Sequence, residues 1–144
     1  MSNIIGISAF YHDSAAALIV NGDIIAAAQE ERFTRIKHDA SFPFNAINYC
    51  LKEGNIVLDD IEAVVFYEKP FLKFERLIEN YVLTSPSSFK SFSISMPVWI
   101  KEKLFQKYLI GNNLKKIDKN FDNKKIMFSE HHLSHAASAF YPSP

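Results

Sequence analysis

The sequence predicts an α/β domain on a mixed sheet, and three features predict it. Three short apolar runs follow one another near the start, separated only by turn signals. Two more short apolar runs, 63–67 and 125–128, come later. Stretches with helical spacing precede both of the later runs. With 144 residues, 48% of them hydrophobic, the chain can bury one core and reads as about one domain.

Residues 4–10 read as a buried strand. The polar Tyr11-His12-Asp13-Ser14 breaks the apolar run. Residues 15–20 form a second strand. Asn21-Gly22 is the favoured pair for a type I′ turn, so residues 23–29 return as a third strand in an antiparallel meander. Charge is dense from Glu30 to Asp39, which predicts a loop. Ser41-Phe42-Pro43-Phe44 is a helix entry, with proline suited to the first turn. Ala46, Ile47, Tyr49, Cys50 and Leu51 give that helix an apolar face, and Gly54 ends it. Ala63 to Tyr67 is apolar without interruption, the pattern of a strand covered on both faces.

The spacing of Phe71, Phe74, Leu77, Ile78, Tyr81 and Val82 predicts a helix over 71–83, broken at 84–88. A second helix starts at Pro97, with Val98, Ile100, Leu104, Phe105, Tyr108 and Leu109 apolar, and stops at Gly111-Asn112-Asn113. Residues 114–123 carry no decisive pattern. Residues 125–128 are a short fifth strand, and the last helix opens at the histidine-rich stretch that follows. The order is β-β-β-α-β-α-α-β-α. Three antiparallel strands followed by two helical crossovers match the ribonuclease-H-like half-domain of actin-like ATPase folds. In such sheets ligands bind at loops along one edge, near a switch in strand order.

Composition excludes several classes. Sixteen basic residues balance sixteen acidic ones, which gives no pull towards nucleic acid or an anionic membrane. Eight lysines lie between 101 and 125, and read as a solvated helical face ahead of an anion-steering patch. Cys50 is the single cysteine, so no internal disulfide forms and a reducing, cytoplasmic setting is the default. The first residues lack the charged start and apolar core of a signal peptide, and no run approaches the ~20 residues that span a bilayer. Four scattered glycines leave no room for a Gly-x-Gly-x-x-Gly or P-loop fingerprint.

The closing stretch carries the most chemistry. Three of the five histidines fall between 131 and 135. In a helix, His131 and His135 project from one face, as a first-row metal requires of two ligands. A packed pair of histidines and a capped helix start are the alternatives. His132 lies about 100° round the helix and cannot share that vertex. Glu130 caps the helix start or orients a histidine.

Three motifs together resemble the N-terminal part of the O-carbamoyltransferases, the nodulation-type and antibiotic-tailoring enzymes. They are Phe10-Tyr11-His12-Asp13-Ser14-Ala15-Ala16-Ala17, then Glu31-Arg32-Phe33-Thr34-Arg35-Ile36-Lys37-His38-Asp39 with Phe42-Pro43, then Glu130-His131-His132-Leu133-Ser134-His135-Ala136. Their order and gaps match, and they span almost the whole chain. The resemblance implies a domain like the universal tRNA threonylcarbamoyl transferase, followed by a YrdC-like domain. It places residues 1–144 in the N-terminal part of the first domain, about the first quarter of such an enzyme. The remainder of that domain and the whole YrdC-like domain would lie beyond.

The resemblance also implies a reaction. Carbamoyl phosphate and ATP give a carbamoyl adenylate, whose carbamoyl group passes to a hydroxyl of a small-molecule or sugar acceptor. A divalent metal, Fe(II) by the family's habit, is held by His131 and His135 together with aspartates expected beyond Pro144. This chain alone should then hold metal weakly or not at all. His12 becomes the catalytic base for the acceptor hydroxyl, although Asp13 also suits an ordinary Asx turn. Asp13, Ser14 and Arg35 are assigned to phosphate or substrate, and Lys37 to catalysis through a phosphate or carbamoyl oxygen. A solvated loop is the plain alternative for the Arg32-to-His38 cluster. Cys50, Trp99 and the phenylalanines read as core.

Two other functions compete. One is a non-catalytic nucleotide- or metal-binding module, or half of a split enzyme. The other is a sister enzyme acting on tRNA, which the balanced charge and the His12-Asp13 and Lys37-His38-Asp39 motifs disfavour.

Overall fold

The computed structural model describes residues 2–68, 78–79, 81–83, 93–94, 97, 105–141 and 143. Five strands form one mixed sheet in the order β3-β2-β1-β4-β5. They are β1 (Asn3–Ser8), β2 (Ala15–Val20), β3 (Asp23–Gln29), β4 (Ala63–Phe66) and β5 (Ile126–Phe128). β1 pairs antiparallel with β2, and β2 with β3, while β1–β4 and β4–β5 are parallel. The expected meander and crossovers are therefore present, in a mixed α/β sheet. The turn at Asn21-Gly22 places both residues at positive φ, 53° and 97°, as a type I′ turn needs.

Alternation along β1 buries Asn3, Ile5 and Ile7 and leaves Ile4, Gly6 and Ser8 half-buried. Through the register, Ile5 and Ile7 align with Leu18 and Ala16 on one side and with Val64 and Phe66 on the other. Helix α2 (Phe44–Glu53) packs Ala46, Ile47, Cys50 and Leu51 into the same core. Helix α3 (Gln106–Ile117) adds Ile110 and Leu114. Each of these large side chains, fully withdrawn from water, contributes about 1.5–3 kcal/mol.

The sequence and the structure part at several elements. The first strand stops at Ser8 rather than Phe10, because Phe10 turns to φ 71° and gives its N–H to Ala40 O. The charged segment after β3 is not only loop. It holds the short helix α1 (Glu31–Thr34), started by Phe33 and Thr34 N–H on Glu30 O and ended by Arg35 at φ 57°.

Gly54 does close α2, but in ordinary right-handed geometry, and Asn55 supplies the positive φ. What requires glycine at 54 is close approach, since a Cβ there would lie 2.5 Å from Leu18 Cδ2. Gly111-Asn112-Asn113 does not stop a helix. α3 runs through it to Ile117, because Gly111 is buried hard against the Asn123 side chain, where a Cβ would collide. The fifth strand begins at Ile126, after a 3₁₀ turn at Asn123–Lys125.

Most of the helix expected over 71–83 lies outside the described residues, although 78–79 and 81–83 are helical. Most of the expected helix after Pro97, and Trp99, lie outside them too. Among the described residues no helix is long and apolar enough to cross a membrane.

The register puts the chemistry on one edge. Ser8 pairs with Ala15 and Ala15 with Gln29, while Ile7 aligns with Phe66 and Phe66 with Phe128. The carboxyl ends of β1, β4 and β5 therefore share an edge with the start of β2 and the end of β3. Residues 9–14, 30–43, 67–68 and 129–135 all leave the sheet there.

Candidate active site

The segments after β1 and β3 are laced together by their backbones. Phe10 N–H donates to Ala40 O at 2.9 Å, Ser14 N–H to Asp39 O at 2.8 Å, and Glu30 N–H to Ser14 O at 2.7 Å. Asp39 is buried and braces its own loop, accepting from Ser41 N–H at 2.9 Å and from Thr34 Oγ at 2.7 Å. Hydrogen bonding from Ser41 first, then from Thr34, holds its carboxyl below the ordinary aspartate range.

Glu30 is the strongest anchor and was not singled out by its sequence context. It is buried, and its carboxylate accepts from Asn45 N–H (3.1 Å), Asn45 Nδ2 (2.7 Å) and Ala46 N–H (2.8 Å). It thus caps the first turn of α2 from outside the helix, satisfying N–H groups that a helix start leaves open. Ser41 was the expected helix entry, but no side chain at the N-cap position supplies a bond.

On this frame Asp13, at φ 51°, turns its carboxylate to two histidines. Oδ2 lies 2.7 Å from His12 Nδ1, and Oδ1 lies 2.9 Å from His38 Nδ1. The bond with His38, and next that with His12, pulls the Asp13 carboxyl below the ordinary range. His38 is itself at φ 56°, and its N–H reaches Glu31 Oε2 at 3.3 Å. Arg35 and Lys37 are exposed beside it. Ser14 is fully buried, and its Oγ has no hydrogen-bond partner among the described residues.

Across the same edge, helix α4 (His131–Phe140) is pinned to the end of β4. Ser129 N–H donates to Phe66 O at 2.8 Å, and Ser134 Oγ reaches Tyr67 O at 3.2 Å and Glu130 O at 2.9 Å. Glu130 holds the N-cap position in extended geometry but makes no side-chain cap bond. His131 and His135 face each other, Nε2 to Nε2, at 3.1 Å. Two nitrogens ~2.1 Å from one ion, at right to tetrahedral angles, stand about 3.0–3.4 Å apart, so the pair fits a shared metal. Without an ion the same contact is a hydrogen bond between imidazoles. His132 meets His131 edge-on and is exposed, off that axis. Among the described residues no three His, Cys, Asp or Glu side chains converge as a metal site.

One tyrosine sits beside each cluster. Tyr11 stacks on His12 with ring centroids 4.5 Å apart, and Tyr67 lies 5.6 Å from His131. Burial, then the charges of Glu68 and Tyr11, push the Tyr67 phenol up. The structure thus joins His12 and Asp13 to His38, and His131 to His135. Tyr11 lies beside the first group and Tyr67 beside the second, near enough for the Tyr11 charge to act on the Tyr67 phenol. The non-local pairing of Asp13 with His38 left no local signal in the sequence, although both residues sit in the motifs quoted above.

The chain matches the family described as Carbamoyltransferase N-terminus over residues 3–144. The chain belongs to that family. It is 53% identical over 146 residues to an uncharacterized protein of Synechocystis sp., covering 100% of this chain and 24% of that protein. It is 35% identical over 131 residues to the nodulation protein NolNO of Sinorhizobium fredii, covering 91% of this chain and 18% of that protein. The chain therefore spans about a quarter or less of the length of these two relatives.

Proposed function

We propose that this chain is the N-terminal segment of an ATP-dependent O-carbamoyltransferase, with its sheet forming the ribonuclease-H-like half of an actin-like domain. The observation that carries the reading is positional. Three motifs of a carbamoyltransferase N-terminus leave one edge of one sheet, at the carboxyl ends of its parallel strands. That is where open α/β sheets place ligands.

In this reading a hydroxyl of a small-molecule or sugar acceptor gives its proton to His12 Nε2 as its oxygen attacks the carbamoyl carbon. The bond from that carbon to the adenylate phosphate oxygen breaks, and AMP leaves. Arg35 and Lys37 place positive charge beside the phosphate and carbamoyl oxygens. Asp13 holds His12, and a phosphate role for Ser14 would require its buried hydroxyl to open to the ligand. His131 and His135 would hold a divalent metal; neutral imidazole suits Fe(II) or Zn(II), and the family's habit favours Fe(II). When bound, that metal supplies positive charge to phosphate oxygens.

The test uses the full-length protein that carries this segment, with carbamoyl phosphate and ATP. Pyrophosphate release that depends on carbamoyl phosphate, with carbamate ester forming on an added polyol or sugar, is the expected result. Pyrophosphate release indifferent to carbamoyl phosphate would refute the reading.

A further inference from the structure

Nothing in the chemistry of a lone catalytic histidine calls for a second histidine on the same carboxylate. Asp13 nevertheless carries one on each oxygen, His12 at 2.7 Å and His38 at 2.9 Å. We propose that His38 is a positioning residue for His12, acting through the Asp13 carboxylate that the two imidazoles share. The role for His12 rests on the function proposed above. The geometry of the three side chains does not.

The argument begins with the carboxylate. Its side chain is about a third exposed, at 35%, so burial alone does not fix its rotamer. A single hydrogen bond at one oxygen leaves the carboxylate plane free to turn about its Cβ–Cγ bond. A second bond at the other oxygen removes that freedom. His12 has little else to hold it: its imidazole is 58% exposed and rests on Tyr11. Its orientation is therefore inherited from Asp13.

The His38 imidazole is as open as that of His12, at 63% exposed, but its backbone is braced. Its backbone N–H reaches Glu31 Oε2, and the next residue, Asp39, is buried and bonded to Thr34 and Ser41. Asp39 O also receives the N–H of Ser14, the residue after Asp13. The strut thus runs from the braced loop after β3, through His38, to Asp13 and then to His12.

The same contacts set the protons. An ionised carboxylate only accepts, so an imidazole Nδ1 at 2.7 Å must donate. Neutral His12 then carries its proton on Nδ1 and its lone pair on Nε2, directed away from Asp13. That is the nitrogen a base must present. The cluster is not a metal triad, since no three such side chains converge for an ion among the described residues.

The experiment reads the imidazole directly. Ring 15N spectra of the chain near neutral pH should show His12 as the Nδ1–H tautomer. In His38→Ala the His12 signals should move towards the Nε2–H form that an unconstrained histidine prefers. In His38→Asn, whose amide can still donate to Oδ1, they should stay. An unchanged His12 tautomer in His38→Ala, with the backbone amide spectrum of the sheet intact, overturns the proposal.

In the full-length protein, His38→Ala should lower kcat for carbamoyl transfer about tenfold with little change in KM for the acceptor. If His12→Ala transfers normally while the tautomer shift stands, the catalytic reading fails and the positioning does not. If His12→Ala is inactive and the tautomer is indifferent to His38, the reverse holds.

Discussion

Two histidine pairs share one edge of the sheet, and they are built in opposite ways. His12 and His38 come from different loops and meet only through Asp13. His131 and His135 come from one helix and face each other, Nε2 to Nε2, 3.1 Å apart. The first arrangement fixes protons, because a carboxylate between two imidazoles dictates which nitrogen of each is protonated. The second sets two nitrogens face to face, at a separation that fits a shared ion as well as a shared proton. The first also depends on tertiary structure, and the second on a single turn of helix. On the function proposed above, the first pair would move protons and the second would hold metal.

The largest effect should come from His12. In the full-length protein, His12→Ala should lower the carbamoyl-transfer rate by about 10²–10⁴, the usual worth of a positioned base. Carbamoyl-adenylate formation should continue. Transfer at the unmodified rate would remove the base from the first pair and dissolve the division of labour.

Next in size is the frame under that pair. Glu30→Ala strips three hydrogen bonds from a buried carboxylate and leaves the Ala46 N–H without a partner. Urea unfolding should show a loss of about 3 kcal/mol. The ring signals of His12 and His38 should shift while those of His131 and His135 stay. A shift confined to the second pair would invert the account.

Much of this was legible in the sequence, for identifiable reasons. β2 and β3 fall where the short runs on either side of Asn21-Gly22 place them, because a hairpin turn is a local property. The pairing of His131 with His135 was readable from helical spacing alone. Gly111 misled, because glycine is read locally as a stop while its role here is to admit Asn123. Glu30 was hidden in a charged run, since only the fold shows that it points into the start of α2. Asp13 and His38 are 25 residues apart, and no periodicity links them.

A smaller effect concerns protons in the first pair. The Asp13 carboxyl is held below the ordinary aspartate value of about 3.9. Its contribution to stability is complete above that value and is lost as pH falls through its own lower titration. NMR titration should find that midpoint, and His38→Ala should raise it more than His12→Ala does, since the His38 bond is the larger cause. An Asp13 midpoint unmoved by His38→Ala would contradict the strut through His38.

The smallest expected signal is at Cys50. It is fully buried in α2, with Sγ 3.5 Å from Ala16 O, and burial pushes its thiol up. Alkylation of the native chain should be slow. It should quicken in Glu30→Ala, in step with unfolding, and not in His131→Ala.

The division between the two pairs is tested most directly by metal content. Full-length protein is purified as His131→Ala, His135→Ala, His132→Ala and His12→Ala, and bound iron and zinc are measured beside the unmodified protein. Loss of metal in the first two variants, with full metal in the last two, is the predicted result. Equal metal in all four, or loss in His12→Ala alone, would contradict it.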